Sequence, residues 1–195
     1  DTRDIYIEPT EGILAGITVT PRFYRAGYFN WSLQQSFSAY RTLHSGKRPL
    51  VLAGNLSYSG LSGYRNPVWL SYIGGGETVR GFPVPDPELY EQGDNSERFG
   101  YIQMLSSLEL RQVIIPRHAT KRRNEFGLTA ALFVDAGMIS QTAAHLPDQR
   151  IFWGLGYGIR IPMPVLQIVR LDFGWGYYQQ SWSGSWSYVR FGQKF

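Results

Sequence analysis

A length of 195 residues suits a single domain, and the absence of cysteine excludes a disulfide framework and any thiolate metal site. Charged residues make up 17% of the chain, below the roughly 25% of soluble domains, while aromatic residues reach 15%. The net charge of +4 does not indicate a nucleic-acid partner, because the basic residues do not gather on one predicted face.

Three predicted strands open the chain. Apolar and polar residues alternate in them with a period of two, and helical periodicity is nearly absent. The second strand shows this best, since Phe29 and Trp31 flank Asn30. No apolar run approaches the roughly 18 residues that a membrane helix needs. The strands are predicted at residues 5–23, 28–42 and 50–60, joined by turns at Tyr24–Gly27 and His44–Pro49.

A long loop follows, over residues 61–97. It contains four prolines and, near its end, a cluster of five acidic residues. Prolines deny a sheet its backbone donors, so no central strand is expected here. The stretch Tyr72–Phe82 has the sequence YIGGGETVRGF, with three consecutive glycines ahead of Arg80. A loop of this length in a compact β protein is usually functional or disordered, and the glycines indicate a specified backbone path because they reach positive φ.

Five further strands are predicted after the loop. Apolar residues again occupy one face of each, while the other face carries small residues and charges of both signs, among them Glu109, Asp135 and Arg160. The strands are predicted at residues 98–115, 125–139, 151–161, 165–178 and at the C-terminus, joined by segments at Pro116–Asn124, Ser140–Arg150, Pro162–Pro164 and Gln179–Ser185.

This alternation fits two architectures, a secreted β-sandwich and a transmembrane β-barrel. The apolar face continues across every strand, and Trp and Tyr cluster near strand ends, as in the aromatic girdles of membrane barrels. The charged polar face suits an enclosed interior with internal ion pairs. We therefore predict an all-β fold, an antiparallel transmembrane β-barrel of eight strands, as one domain over residues 1–195 with the long loop between strands 3 and 4.

An even number of antiparallel strands places successive turns on alternating sides of a barrel. The long loop 61–97 shares its side with Ser140–Arg150, and its length and acidic residues predict that this side is extracellular. Tyr24–Gly27 and Gln179–Ser185 fall on this same side. The other side carries His44–Pro49, Pro116–Asn124 and Pro162–Pro164 and is expected to be periplasmic.

Three segments resemble motifs of one protein family. Ile73–Phe82, IGGGETVRGF, resembles the VRGF/Y loop motif of the BamA/TamA and two-partner-secretion (FhaC-like) outer-membrane superfamily. Phe133–Gly137, FVDAG, resembles its motif on a following inner-wall strand, and Phe191–Phe195, FGQKF, is similar to its closing strand with a final aromatic residue. The three segments occur in the family's order, the first in the predicted loop and the other two at predicted strand positions.

The resemblance implies a role and a set of site residues. It implies insertion or translocation of polypeptides at the outer membrane without chemistry, and hence client polypeptides and outer-membrane lipid as partners and an integral outer-membrane location. The family's loop folds into the barrel, where its arginine pairs with the aspartate of the strand motif, which implies that Arg80 pairs with Asp135. The implied functional residues are Val79, Arg80, Gly81 and Phe82 in the loop, Asp135 as salt-bridge partner, and Phe191, Gly192 and Phe195 at the end of the closing strand.

The residues themselves leave alternatives open. Burying an arginine unpaired is costly, and a carboxylate is its best partner, but a second interpretation leaves Arg80 in solvent and pairs Asp135 with Arg111 or Arg170. The family barrel has sixteen strands, and these eight correspond to its second half. The hypotheses are therefore a larger barrel built as a homo-oligomer, an excised half of a longer barrel, and a self-closed eight-stranded barrel with a structural or surface-binding role.

A barrel enzyme is a further hypothesis. His44, His118 and His145 fall in predicted turns or a loop and lack the spacing of metal ligands. Rim catalysis would have to use acidic residues of the long loop, for which the candidates are Asp86, Glu88 and Asp94. An acidic loop is usually only solvated, so we predict no catalytic residue. We also predict no metal, no cofactor and no nucleic-acid partner.

Overall fold

Eight long antiparallel strands form one sheet in the computed structural model, which describes residues 1–4, 8–25, 27–86, 97–119, 125–163, 167–192 and 194–195. Their order in the sheet follows the chain, and two short strands pair separately in the connection between the third and fourth long strands. The long strands are β1 (Gly12–Phe23), β2 (Phe29–His44), β3 (Leu50–Gly63), β6 (Ile102–Ala119), β7 (Glu125–Ser140), β8 (Phe152–Met163), β9 (Gln167–Tyr178) and β10 (Ser181–Phe191), and the short ones are β4 (Ser71–Tyr72) and β5 (Phe99–Gly100).

The sheet is open within the described residues, because β1 pairs only with strand β2 and β10 only with strand β9. Near its start, the free edge of β1 faces the N-terminal segment, which makes one backbone hydrogen bond to β1 and one to the residue just before it. The N–H of Thr2 donates to the carbonyl of Ile13 at 2.8 Å. The N–H of Asp4 donates to the carbonyl of Glu11 at 3.1 Å, so this segment runs antiparallel to β1.

The predicted antiparallel sheet of eight strands is confirmed, while several predicted boundaries are wrong. Residues 8–11 precede β1 instead of belonging to it. β6 starts at Ile102 because Phe99–Gly100 pairs with Ser71–Tyr72 in the second sheet. The strands β3, β6 and β8 continue into segments predicted as loop or turn, ending at Gly63, Ala119 and Met163.

The connections also differ from the prediction. Between β9 and β10 only Gln179 and Gln180 intervene, both with positive φ, so the predicted loop 179–185 is a tight turn. His44 ends β2 and His118 lies in β6, so these two histidines are not in turns. Parts of several predicted strands, loops and turns lie outside the described residues, so their predictions stay predictions. These parts are residues 5–7, 87–96, 120–124 and 164–166. In the part of the chain that is described, no helix is long and apolar enough to cross a membrane.

The two faces of the sheet differ as the alternation predicts. On one face large apolar side chains are exposed, with Ile17 at 72% and Leu132 at 60%. On the other face charged side chains are buried, and Glu109, Asp135 and Arg160 have no exposed surface. A soluble sandwich has the reverse arrangement, so these faces correspond to the lipid-facing and interior-facing sides of a membrane barrel.

The C-terminus departs from the predicted alternation. The period of two predicts that Phe191 and Phe195 both face outward from the last strand. In the structure Phe191 faces outward, whereas Phe195 turns to the buried face. Its ring centroid lies 5.1 Å from the guanidinium carbon of Arg111 and 6.4 Å from the ring of Tyr40. Gly192 makes this reversal feasible, because its φ of +84° turns the chain off the path of the strand.

Candidate functional site

Residues 73–84, here called the inner loop, fold back over the buried face of the sheet. The hydroxyl of Thr78 shapes a tight turn, because Oγ1 accepts from the N–H of Gly74 at 2.8 Å and donates to its carbonyl at 2.6 Å. At the base of the loop, Nε of Arg98 donates to the carbonyl of Ile73 at 2.9 Å. These bonds hold the glycine-rich backbone on one path.

Apolar packing fixes the inner loop on the strands. Ile73, Val79 and Phe82 form a buried cluster with Ile139 of β7 and Phe152 of β8. The rings of Phe82 and Phe152 meet edge to face with centroids 5.6 Å apart. Burying a side chain of this size contributes about 1.5–3 kcal/mol, so the three loop residues supply a substantial part of what holds the loop inside.

Arg80 is fully buried, and Asp135 on β7 is its principal partner. Nε donates to Oδ2 at 2.7 Å and Nη2 donates to Oδ1 at 2.8 Å, which is the bidentate geometry of a strong charge-assisted pair. The backbone N–H of Arg80 donates to the same carboxylate at 3.0 Å. The structure therefore brings together the two residues that the resemblance pairs, and leaves none of Arg80 in solvent.

Two further carboxylates complete a cage around the guanidinium of Arg80. Nη1 donates to Oε1 of Glu109 at 2.6 Å and to Oδ2 of Asp172 at 3.3 Å. The ring of Phe133 covers one face, with its centroid 3.5 Å from the guanidinium carbon. Arg80 thus links strands β6, β7 and β9 to the inner loop.

Other cations balance the same carboxylates. Nε of Arg111 donates to Glu109 at 2.8 Å, and Nη1 of Arg160 donates to Asp172 at 2.6 Å. Nη2 of Arg170 donates to Oε1 of Glu77 at the start of the loop turn, at 2.7 Å. Among the described contacts, then, Arg111 and Arg170 pair with carboxylates other than Asp135. The buried face is a connected network in which each carboxylate is shared.

The last strand and the C-terminus also hold the inner loop. The hydroxyl of Tyr188 on β10 accepts from the N–H of Gly81 at 3.0 Å and donates to the carbonyl of Phe82 at 2.7 Å. Nζ of Lys194 donates to the carbonyl of Thr78 at 2.8 Å and lies 3.0 Å from Oδ2 of Asp135. The loop is therefore fastened at three successive places by β10 and the residues that follow it.

Burial and charge act in opposite directions on the two cations beside Asp135. Burial opposes the charge of Arg80, but the attraction of Asp135, Glu109 and Asp172 outweighs it and raises the pKa of Arg80 above its ordinary value. For Lys194 burial dominates and lowers the pKa to about 8, against the attraction of Asp135. Arg80 is a permanent cation, whereas Lys194, with its pKa lowered to about 8, can lose its proton in mildly alkaline solution.

Two glycines allow the loop to approach the strands this closely. A Cβ at Gly154 of β8 would lie 1.9 Å from the carbonyl oxygen of Arg80. Gly81 has a φ of +102°, and a Cβ there would lie 2.3 Å from the backbone of Trp175. Larger residues at either position would lift the loop from the sheet.

The structure gathers most of the sequence-derived site residues at one place. Arg80 contacts Asp135, its loop neighbours Val79 and Phe82 pack in the apolar cluster, and Gly81 donates to Tyr188. Phe195 lies nearer Arg111, and Phe191 points outward from the sheet. Sequence reasoning missed that Glu109, Asp172, Tyr188 and Lys194 contact the loop. The two carboxylates were visible as charges on a polar face, but Tyr188 carried no distinguishing signal.

This arrangement is suited to anchoring. Three carboxylates are each neutralised by arginine at hydrogen-bond distance, so none is free to act as a base at the loop. Within the described ranges, no group of three or more histidine, aspartate or glutamate residues is placed to hold a metal ion.

Comparison with known proteins assigns the family. No curated protein matches the chain. The Omp85 superfamily domain matches residues 1–193, which include all eight long strands and the inner loop. This superfamily consists of bacterial outer-membrane β-barrels that are in general transport or assembly proteins, and it includes the family that the sequence motifs resemble. Because the match extends over nearly the whole sequence, the chain belongs to the Omp85 superfamily.

Proposed function

We propose that this chain is an integral β-barrel of the bacterial outer membrane that inserts or translocates polypeptides without a catalytic residue or cofactor. The inner loop carries the proposal, because a buried arginine fastens it to the interior face of a sheet whose first and last long strands have no further long-strand partner among the described residues. In this role the functional residues are Val79, Arg80, Gly81 and Phe82, with Asp135 as the anchor and Phe191, Gly192 and Phe195 at the end of the closing strand.

Hydrophilic space beside the inner loop supports a route for a polypeptide. Two pockets of about 260 and 410 Å³ lie along the interior wall of β1–β3, and the smaller is also bounded by β6, Lys194 and Glu77 of the inner loop. Their linings are rich in neutral hydroxyl and amide groups, which can exchange hydrogen bonds with an extended chain of either charge. They include Gln34, Ser36, Ser38, Asn55, Ser57 and Ser59.

The edges of β1 and β10, which pair with no further long strand among the described residues, support insertion. A strand edge with unpaired backbone groups is a template for a further strand. A client segment that pairs with β1 would lie beside the same wall of neutral side chains. We propose that the side of the sheet from which the inner loop enters is extracellular and that residues 1–195 act as one domain.

The experiment is an assay of assisted barrel folding. The chain is reconstituted in lipid vesicles, and an unfolded outer-membrane barrel is added from urea. The fraction of folded client is read from its gel mobility without heating. We expect the wild-type chain to accelerate client folding and Asp135→Ala to reduce the acceleration, because the loop loses its anchor.

Asp148→Ala is the matched control, because it also removes a carboxylate but from an exposed connection between β7 and β8. This variant should accelerate client folding as wild type does. A correctly folded wild-type chain that leaves the client rate unchanged, and that conducts no ions in a planar bilayer, would instead indicate a barrel with a structural or surface-binding role.

A further inference from the structure

Acidic residues are absent from one wall of the sheet. The chain contains 15 Asp and Glu residues, yet none occurs between Glu11 and Glu77, a stretch that carries six Arg and Lys residues. This stretch forms β1, β2 and β3 with their turns. The basic residues lie at or near the two ends of these strands, namely Arg22, Arg25 and Arg65 at one end and Arg41, Lys47 and Arg48 at the other.

At the end proposed to be extracellular, two exposed arginines flank a group of tyrosines. Arg25 lies in the turn between β1 and β2, and Arg65 follows β3. Their chain neighbours Tyr24 and Tyr64 have ring centroids 5.4 Å apart, and the ring of Tyr28 stacks on Tyr64 at 4.5 Å. Within the described residues neither arginine has a carboxylate partner, so both guanidinium groups can bind an external anion.

An apolar surface lies immediately next to these cations along the strands. Phe23 and Phe29 face each other across β1 and β2 with ring centroids 5.0 Å apart, and Phe23 is 81% exposed. Trp31, two residues further along β2, is also exposed. From the rim toward the middle of the sheet, the surface therefore presents cations, then tyrosines, then exposed apolar rings.

This order matches an amphiphile with an anionic headgroup and acyl chains. Basic residues near a membrane surface attract anionic headgroups, arginine binds phosphate in bidentate fashion, and aromatic rings settle at the level of the headgroups. Among the described residues, Glu97 at this end accepts hydrogen bonds from Tyr178 and Gln179 beside β9. No ion pair of the described residues neutralises Arg25 or Arg65, so their charges stay available to an anion.

We infer that the rim formed by Arg25, Arg65 and the exposed rings of Phe23 and Phe29 binds a phosphate-bearing lipid of the outer leaflet. This inference goes beyond the proposed transport role and uses only its orientation. A lipid held there would fix the β1–β3 wall in the membrane beside the free edge of β1.

The test compares two lipids that differ only in phosphate. The full chain in detergent is titrated with bisphosphorylated lipid A or with dephosphorylated lipid A of the same acyl chains, and bound lipid is counted by native mass spectrometry. Wild type should prefer the phosphorylated lipid, and Arg25→Gln/Arg65→Gln should reduce this preference by about tenfold. The control Arg41→Gln/Arg48→Gln removes the same charge from the opposite end and should leave the preference intact.

Three results would overturn the inference: equal binding of both lipids by wild type, an unchanged preference in Arg25→Gln/Arg65→Gln, or an equal loss in the control. The last would mean that overall charge, rather than this rim, attracts the lipid. The assay involves no client polypeptide, so its failure would leave the proposed transport role standing, and failure of client folding would leave the lipid site standing.

Discussion

Arg80 is a charged side chain without exposed surface, and its burial is tolerated because three carboxylates surround it. We expect Arg80→Ala and Asp135→Ala each to lower the free energy of unfolding by about 3–5 kcal/mol, because each leaves a buried charge without its partner. The double variant should lose less than the sum, since either change already breaks the pair. Urea titration of the chain in detergent micelles measures all three values.

Arg48→Ala serves as the control for this cycle, because Arg48 lies exposed in the turn between β2 and β3. Its effect should stay within about 0.5 kcal/mol. If the losses from the two buried variants simply add, Arg80 and Asp135 do not stabilise the chain as a pair.

Lys194 predicts a pH dependence of stability. Its pKa is about 8 in the folded chain against an ordinary value of 10.5, so the unfolded chain binds more protons between these values. Stability therefore rises with pH from about 8 to 10.5 through this group. Relative to Lys194→Met, wild type should gain up to about 3 kcal/mol over this interval.

The measurement for Lys194 is the difference in free energy of unfolding between wild type and Lys194→Met, taken on both sides of the interval. Other titrating groups cancel in this difference. Lys47→Met, at an exposed lysine, should follow the pH curve of wild type. If Lys194→Met also follows the pH curve of wild type, burial does not lower the pKa of Lys194.

At the level of elements, β8 meets the inner loop through glycine. Replacing glycine by alanine inside a strand normally favours the strand, but a Cβ at Gly154 would collide with the carbonyl of Arg80. We expect Gly154→Ala to push the loop off the sheet. Maleimide labelling of Val79→Cys measures this, because the chain has no native cysteine and Val79 is fully buried.

The matched control is Gly54→Ala on β3, where the nearest atom to a new Cβ would be 3.7 Å away. This variant should label as slowly as the Val79→Cys parent. Slow labelling in Gly154→Ala as well would mean that β8 can move aside to keep the loop in place.

At the level of the whole molecule, the open sheet and the inner loop over its buried face indicate how many copies of the chain build one barrel. The interior of an eight-stranded barrel has just enough room for its own side chains, whereas here the same face also carries the inner loop. We expect the reconstituted chain to assemble as a homo-oligomer with a larger shared barrel. Native mass spectrometry of the membrane-extracted particle counts the copies, and a monomer with Val79 still protected would contradict this expectation.

The sequence by itself determined the strands, their two faces and the family. These features are local, because a period of two over each strand and the short segments IGGGETVRGF and FVDAG can be recognised without knowing the contacts. The sequence did not predict boundaries such as the start of β6. Phe99–Gly100 leaves the main sheet because it pairs with Ser71–Tyr72, which lies far away along the chain.

Only the tertiary structure decided how the charges combine. The partners of Arg80 lie 29, 55 and 92 residues away along the chain, so no local pattern specifies that Glu109, Asp135 and Asp172 converge on one guanidinium. The inward turn at Gly192 likewise depends on a backbone φ that composition does not reveal. Sequence fixes which groups face the interior, but the competition among buried charges for hydrogen-bond partners is settled by distances that exist only in the folded sheet.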